Sequence, residues 1–374
     1  MVVVGGGIAG CSVALALRER GSPVTLIQPP RSGGAATPAS AGIIAPQYES
    51  DAADPTFWLG VESRSRYPDY LAGVNALAGS DVRLEGGGML VANHTGAEHE
   101  AAGAAASAQR ALGLEVEVLD APEAARLEPS VAPEVRSFLW FAEAFRVDCG
   151  HYAAALVRAT KAAGARLVSG RAVSLQRESG RVHGVKLEDG SVATGDGVVL
   201  AAGCWSGQIA GLPDRVPVRP VRGQILRLAS DALPTGPVLA DHAGRYLVPR
   251  AGGALAGSTM DEVGFEAEVT EAGNDAIRRA VGRLCPAASG AVAAEEWAGL
   301  RPVSDDGVPI IGPDPGLDGL FYATGYGRSG ILLAPILAET VSDLALGLET
   351  GAGWDALAIE RFNQPGTGGP RTSA

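Results

Sequence analysis

Residues 1–28, MVVVGGGIAGCSVALALRERGSPVTLIQ, decide how the chain is read. Val2-Val3-Val4 is a β-branched run of the kind that forms a short buried strand. Gly5, Gly7 and Gly10 then give G-x-G-x-x-G. Ile8, Ala9, Val13, Leu15, Ala16 and Leu17 recur at helical spacing, and Gly21 stands where a helix stops. Residues 23–27 read as a second strand. Glycines between a strand and a helix in a βαβ unit are the setting in which this motif holds a dinucleotide. The first permits a tight turn, the second lets a pyrophosphate approach the backbone, and the third lets helix and strand pack closely. The helix N-terminus adds partial positive charge. An acid ordinarily ends the second strand and holds the ribose hydroxyls. Gln28 stands there and offers an amide without the charge.

The same stretch contains IAGC, residues 8–11, after an apolar run, which imitates a lipoprotein processing site. No basic residue precedes the run, and Arg18, Glu19 and Arg20 follow it. A signal peptide needs the reverse order. A cytoplasmic protein is therefore expected.

The whole chain supports a globular enzyme. It has 374 residues, 46% hydrophobic and 19% charged, which predicts two domains or one core with large insertions. The net charge of −12 and the lack of a Lys/Arg run argue against a nucleic-acid partner. The four cysteines are scattered, with no CxxC pair, so neither a metal site nor a disulfide framework is expected. No stretch approaches the roughly 20 apolar residues of a membrane span.

Further along, helices are expected at 57–78, 97–112, 150–163, 269–284 and 330–348, with a short capped one at 121–129. Strands are expected at 81–92, 166–176, 184–187 and 320–325, with a hairpin turn at Asp189-Gly190. Residues 197–206 read as a buried strand ending in small residues, βαβ-like again, so the nucleotide domain is interrupted and resumes. Residues 217–260 alternate apolar and polar and read as antiparallel strands. The Gly/Pro/Ser/Thr-rich tail, 364–374, is expected to be disordered.

Nine stretches in order carry a family likeness: VVVGGGIAGCSVALALRERG, ASAGIIAP, RVDCGHYAAAL, VVLAAGCWSGQI, PVRGQILRL, YLVPR, GSTMDEVGF, WAGLRPVSDDGVPIIGP and ATGYGRSGILLAP. With them the chain resembles the flavin-dependent D-amino-acid oxidase superfamily, and within it the bacterial glycine oxidases. The resemblance implies non-covalent FAD and an α/β fold with a discontinuous Rossmann-like domain at 1–80, 147–215 and 298–363. It implies a smaller α+β substrate domain at 81–146 and 216–297, whose antiparallel sheet roofs the flavin.

By motif position it places Gly5, Gly7 and Gly10 at the FAD pyrophosphate and Gln28 at the ribose. Ser40, Ala41 and Gly42 fall near the isoalloxazine and ribityl chain, and Val173 offers backbone to the adenine. Gly203 and Trp205 flank the phosphates. Gly327, Ser329, Gly330, Ile331 and Leu332 lie at the flavin's pyrimidine side. Tyr246 and Arg301 match a carboxylate clamp, Arg328 a second active-site arginine, and Met260 a pocket wall. Arginine suits the clamp because its planar fork makes two parallel hydrogen bonds to a carboxylate.

The implied reaction is oxidation of glycine or an N-substituted glycine, including N-carboxymethyl amino acids, to an imine. Water takes the imine to glyoxylate plus ammonia or an amine, and O2 becomes H2O2. Gly327 stands where the family carries more bulk, which leaves room for a substituent on nitrogen. Covalent flavin attachment, as in monomeric sarcosine oxidases, is not expected: no cysteine lies in 297–340, and neither Lys161 nor Lys186 falls in an active-site motif. Three other readings remain open on sequence. They are a D-amino-acid dehydrogenase feeding a quinone, an RNA-modifying relative that removes a carboxymethyl group, and a dinucleotide-binding module without activity. No membrane partner is expected, and the likeness is compatible with a homo-oligomer.

Overall fold

The computed structural model describes residues 1–30, 33–213, 215–351 and 353–363. The tail expected to be disordered, 364–374, lies outside them. Val2–Val4 is the middle of a six-stranded sheet. Thr25–Gln28 and Val198–Leu200 flank it, both parallel. Arg166–Ser169 and Leu320–Thr324 extend the sheet in parallel, and Ile310–Pro313 closes one edge antiparallel. Covered on both faces, such strands need no alternation, and Val2, Val3 and Val4 are all buried.

Ile8–Glu19, Cys149–Ala162 and Gly330–Leu346 pack together against this sheet. Pro335 sits inside the last helix and has no N–H to give the Ile331 carbonyl one turn earlier. The hydroxyl of Tyr67, on the Phe57–Ala78 helix, donates to that carbonyl instead. Ser63 Oγ donates to the neighbouring Leu332 carbonyl at 2.6 Å. The first-turn carbonyls of a helix that begins at the cavity described below are thus held by another helix.

The second layer is an eight-stranded sheet, running Val292–Ser304, Val218–Ala229, Gly253–Gly257, Tyr246–Arg250, Val238–Asp241, Met89–Asn93, Ser137–Phe141 and Glu117–Asp120. It is mixed rather than antiparallel as expected: Val238–Asp241 pairs in parallel with Met89–Asn93. That pairing joins two distant stretches of chain, and period-two patterning carries no information about it. The expected domain border at 297/298 falls inside the Val292–Ser304 strand. This strand keeps its ladder with Val218–Ala229 along its length and reaches the cavity between the sheets.

Two expectations need correction. Of the strands expected at 81–92 with residues 86–88 as the break between them, only Met89–Asn93 forms; Gly87 and Gly88 take positive φ as a break requires, and the segment before them makes a single bridge, Glu85 to Arg146. The strand expected at 166–176 is two strands. Arg166–Ser169 belongs to the parallel sheet, and Ala172–Glu178 starts an antiparallel three-stranded meander. The long helices form close to where the periodicity puts them. Thr95 and Asp120 cap theirs with full capping boxes.

Replacing Tyr67 by Phe removes the donor that stands in for Pro335 and leaves a buried carbonyl unpaired. A loss of about 1–3 kcal/mol in unfolding free energy follows, read as a lower denaturant midpoint at constant slope.

Candidate active site

A cavity of about 710 Å³ lies between the two sheets. That is the size range of sites that hold cofactors and substrates. One end is lined by Gln28, Gly170, Arg171 and Val173, the middle by Gly5, Gly7, Ser40, Ala41, Gly42, Gly203 and Trp205, and the other end by Tyr246, Arg301 and Arg328. Gly327, Gly330, Ile331 and Met260 line it as well. The structure therefore brings most of the residues singled out from sequence to one space.

Three of them stand back. Gly10 is absent from the lining; a Cβ there would sit 1.8 Å from the Gly5 carbonyl oxygen. It lets helix and strand touch, as the motif requires. Leu332 is buried in the core, and its carbonyl is held by Ser63. Ser329 precedes the Gly330–Leu346 helix but provides no side-chain cap. The first N–H groups of that helix start at the cavity, with the partial positive charge of a helix N-terminus. The Val173 carbonyl accepts from Ala210 N at 2.9 Å.

The strand-to-helix turn is shaped for a ligand. Gly5 has φ 120°, and a Cβ on it would meet the Ala201 carbonyl oxygen at 2.2 Å. Gly6 is equally tight, because the Gln28 side chain lies across it. Gly7 differs: its φ of −82° suits any residue, and a Cβ would meet only Thr37 Oγ1, at 3.2 Å. Packing of the protein alone gives no strong reason for glycine there. Gly7 lines the cavity. Thr37 Oγ1 accepts from Ile8 N at 2.9 Å and fixes the helix start.

At the opposite end, Arg301 lies on the Val292–Ser304 strand. Its guanidinium fills the space a side chain would take at Gly223 on the neighbouring strand. Nη1 donates to the Thr259 carbonyl at 3.1 Å and Nη2 to Ser258 Oγ at 2.7 Å. Burial lowers the pKa of Arg301, but an arginine stays a cation at neutral pH. Tyr246 is buried in the same region. Burial raises its pKa, against the pull of Arg301, so it keeps its proton and can donate it in a hydrogen bond. Arg328 Nη2 lies 3.2 Å from Glu49 Oε2, and Glu49 and Tyr48 line the cavity too. Sequence reading missed both residues. The one signal was their place just after the small-residue loop ASAGIIAP.

Met260 is half exposed at the rim, and Trp205 packs against Phe265 with ring centroids 5.9 Å apart. Burial pushes the Cys204 and Cys149 thiols up to about 12, so neither is a reactive thiolate. Among the described residues no group of three His, Cys, Asp or Glu side chains could hold a metal ion, and no helix is long and apolar enough to cross a membrane.

The family model described as FAD dependent oxidoreductase, DAO, matches residues 1–344. The chain belongs to this family. The flavoenzyme is 33% identical over 362 residues to the glycine oxidase of Pseudomonas putida, covering 93% of this chain and 95% of that one. It superimposes on the crystal structure of glycine oxidase from Geobacillus kaustophilus with a TM-score of 0.91 at 27% identity, covering 96% of this chain and 98% of that one. Iminodiacetate oxidase from Chelativorans sp. BNC1 gives a TM-score of 0.87, also at 27% identity, with 96% and 98% covered. FAD-dependent oxidoreductase chemistry and the Rossmann-like fold with its substrate domain are thus established for the flavoenzyme.

Two alanine substitutions separate ligand space from packing space. Gly7→Ala leaves a folded protein that purifies with substantially less FAD. Gly10→Ala lowers the melting temperature of the apoprotein itself, because its Cβ meets backbone.

Proposed function

We propose that the flavoenzyme oxidises the C–N bond of glycine or an N-substituted glycine and passes the electrons to O2. The observation that carries this reading is the Arg301–Tyr246 end of the cavity. A buried cation and a protonated phenol stand there together, a donor set matched to one carboxylate. The glycine oxidases among its relatives fit the same reading.

The lining is compatible with the following cofactor contacts, which are part of the proposal. Gly5 and Gly7 hold the pyrophosphate, with Gly203 and Trp205 beside it. Gln28 faces the ribose, and the Val173 N–H faces the adenine. Ser40, Ala41 and Gly42 pass the ribityl chain, and residues 327–331 meet the pyrimidine side of the ring. FAD held there would supply the two-electron acceptor for oxidation of the C–N bond. The helix that starts at Gly330 stabilises negative charge gained there.

The chain's own contribution is orientation. Arg301 is already anchored on Ser258 and Thr259, so it binds the carboxylate with little loss of freedom. Tyr246 adds a hydrogen bond, and together they fix the α-carbon. The exposed rim at Met260 gives water access to the imine, which hydrolyses to glyoxylate and an amine. Gly327, with open space beside it, leaves room for a substituent on nitrogen.

Glycine, sarcosine and longer N-alkylglycines are expected to yield glyoxylate and H2O2 in equal amounts. If all are inert while D-alanine reacts, the glycine assignment fails. Dye reduction with almost no peroxide marks a dehydrogenase instead. Arg301→Met is expected to lower kcat/KM roughly 100-fold or more while FAD is retained, the scale of losing one partner of a buried charged pair.

A further inference from the structure

The substrate end of the cavity carries two guanidiniums, and a single carboxylate needs only one clamp. Arg301 is anchored from behind on Ser258 and Thr259. Arg328 is met by Glu49, whose Oε2 lies 3.2 Å from its Nη2. The Glu49 side chain is only 10% exposed. The attraction between Glu49 and Arg328 is chiefly one of charge, and it raises the pKa of the arginine.

Glu49 is also held in place. It ends the short helix Pro46–Glu49, and the hydroxyl of the adjacent Tyr48 donates to the Asp241 carbonyl at 2.9 Å. The turn after Asp241 leads to Gly244, where a Cβ would come within 3.0 Å of Arg328 Nη1. The same turn therefore restrains Tyr48 and leaves room for the arginine.

We infer that Glu49 sets the substrate class, by neutralising Arg328 so that the site accepts amines with one carboxylate and rejects those with two. The inference rests on the proposed function and narrows it. Of the charged side chains that line the cavity beside Tyr246, Arg301 and Arg328 against Glu49 leave one positive charge, which matches one carboxylate. A second carboxylate drawn to Arg328 meets the charge of Glu49. Binding there sets a second anion beside the nearly buried Glu49 and makes the two compete for one counter-ion. A neutral substituent meets no such barrier. N-alkylglycines are then the favoured class, and N-carboxymethyl amino acids, with their second acid, the disfavoured one.

Binding to the oxidised holoenzyme tests this without turnover. The probes are glycolate, with one carboxylate, and oxydiacetate, an unreactive ether with two. Each is titrated by the change it makes in the flavin absorbance. The wild type is expected to bind glycolate at least tenfold tighter, a result that needs no variant. Glu49→Gln is expected to shift the ratio at least tenfold toward oxydiacetate. Glu49→Asp, which keeps the charge, retains the wild-type ratio. Adding Arg328→Gln to Glu49→Gln abolishes the gain.

Equal binding of the two anions by the wild type, or a ratio unmoved by Glu49→Gln, overturns the inference and leaves the proposed function standing. If neither anion perturbs the wild-type flavin, the carboxylate clamp itself is wrong, and the inference falls with it.

Discussion

The site depends on an arginine laid across a glycine. Arg301 and Gly223 sit on neighbouring strands of the large sheet, whose ladder pairs Gly223 with Gly299. Without a Cβ at Gly223 there is room for a guanidinium, and Ser258 and Thr259 take up two of its donors. A buried cation is costly unless it is hydrogen-bonded and neutralised. Here the hydrogen bonds come from the protein, and the opposing charge is left for a ligand. The substrate carboxylate of the proposed function would supply that charge.

Everything around that arginine keeps the seam between the sheets open and in register. The Val292–Ser304 strand brings Arg301 to the cavity. It also supports the cofactor loop, since Trp297 Nε1 donates to Ala39 O at 3.1 Å and Leu300 N to Gly34 O at 2.8 Å. Arg250 ties the Ala41 and Val147 carbonyls together, each at 3.0 Å. The Gly330–Leu346 helix has its N-terminus at the cavity despite Pro335, because Tyr67 takes over the missing donor. Cofactor turn, loop and final helix are thus fixed by contacts that do not involve the ligand, which is what preorganisation requires.

Much of this was legible in the sequence, and the limits have physical causes. The first βαβ unit could be read because its signals are local: a valine run, three spaced glycines and a helical period. Gly10 could be placed as a packing position by the same logic. The partner of Arg328 could not, because Glu49 meets it only after two distant segments fold together, and Glu49 ends a helix of four residues with no periodicity to read. The break between Arg166–Ser169 and Ala172–Glu178 was hidden for a related reason: both strands are continuous in pattern and differ only in the sheet they join. Gln28, the anomaly at the ribose position, proves to lie across Gly6, which explains why that glycine is needed.

The most direct test mixes the oxidised holoenzyme anaerobically with sarcosine and, separately, with sarcosine methyl ester. The two share the amine and the C–H bond and differ only in the carboxylate. The account predicts that the acid bleaches the flavin completely and the ester does so far more slowly. Equal bleaching by both, or none by the acid, would contradict it.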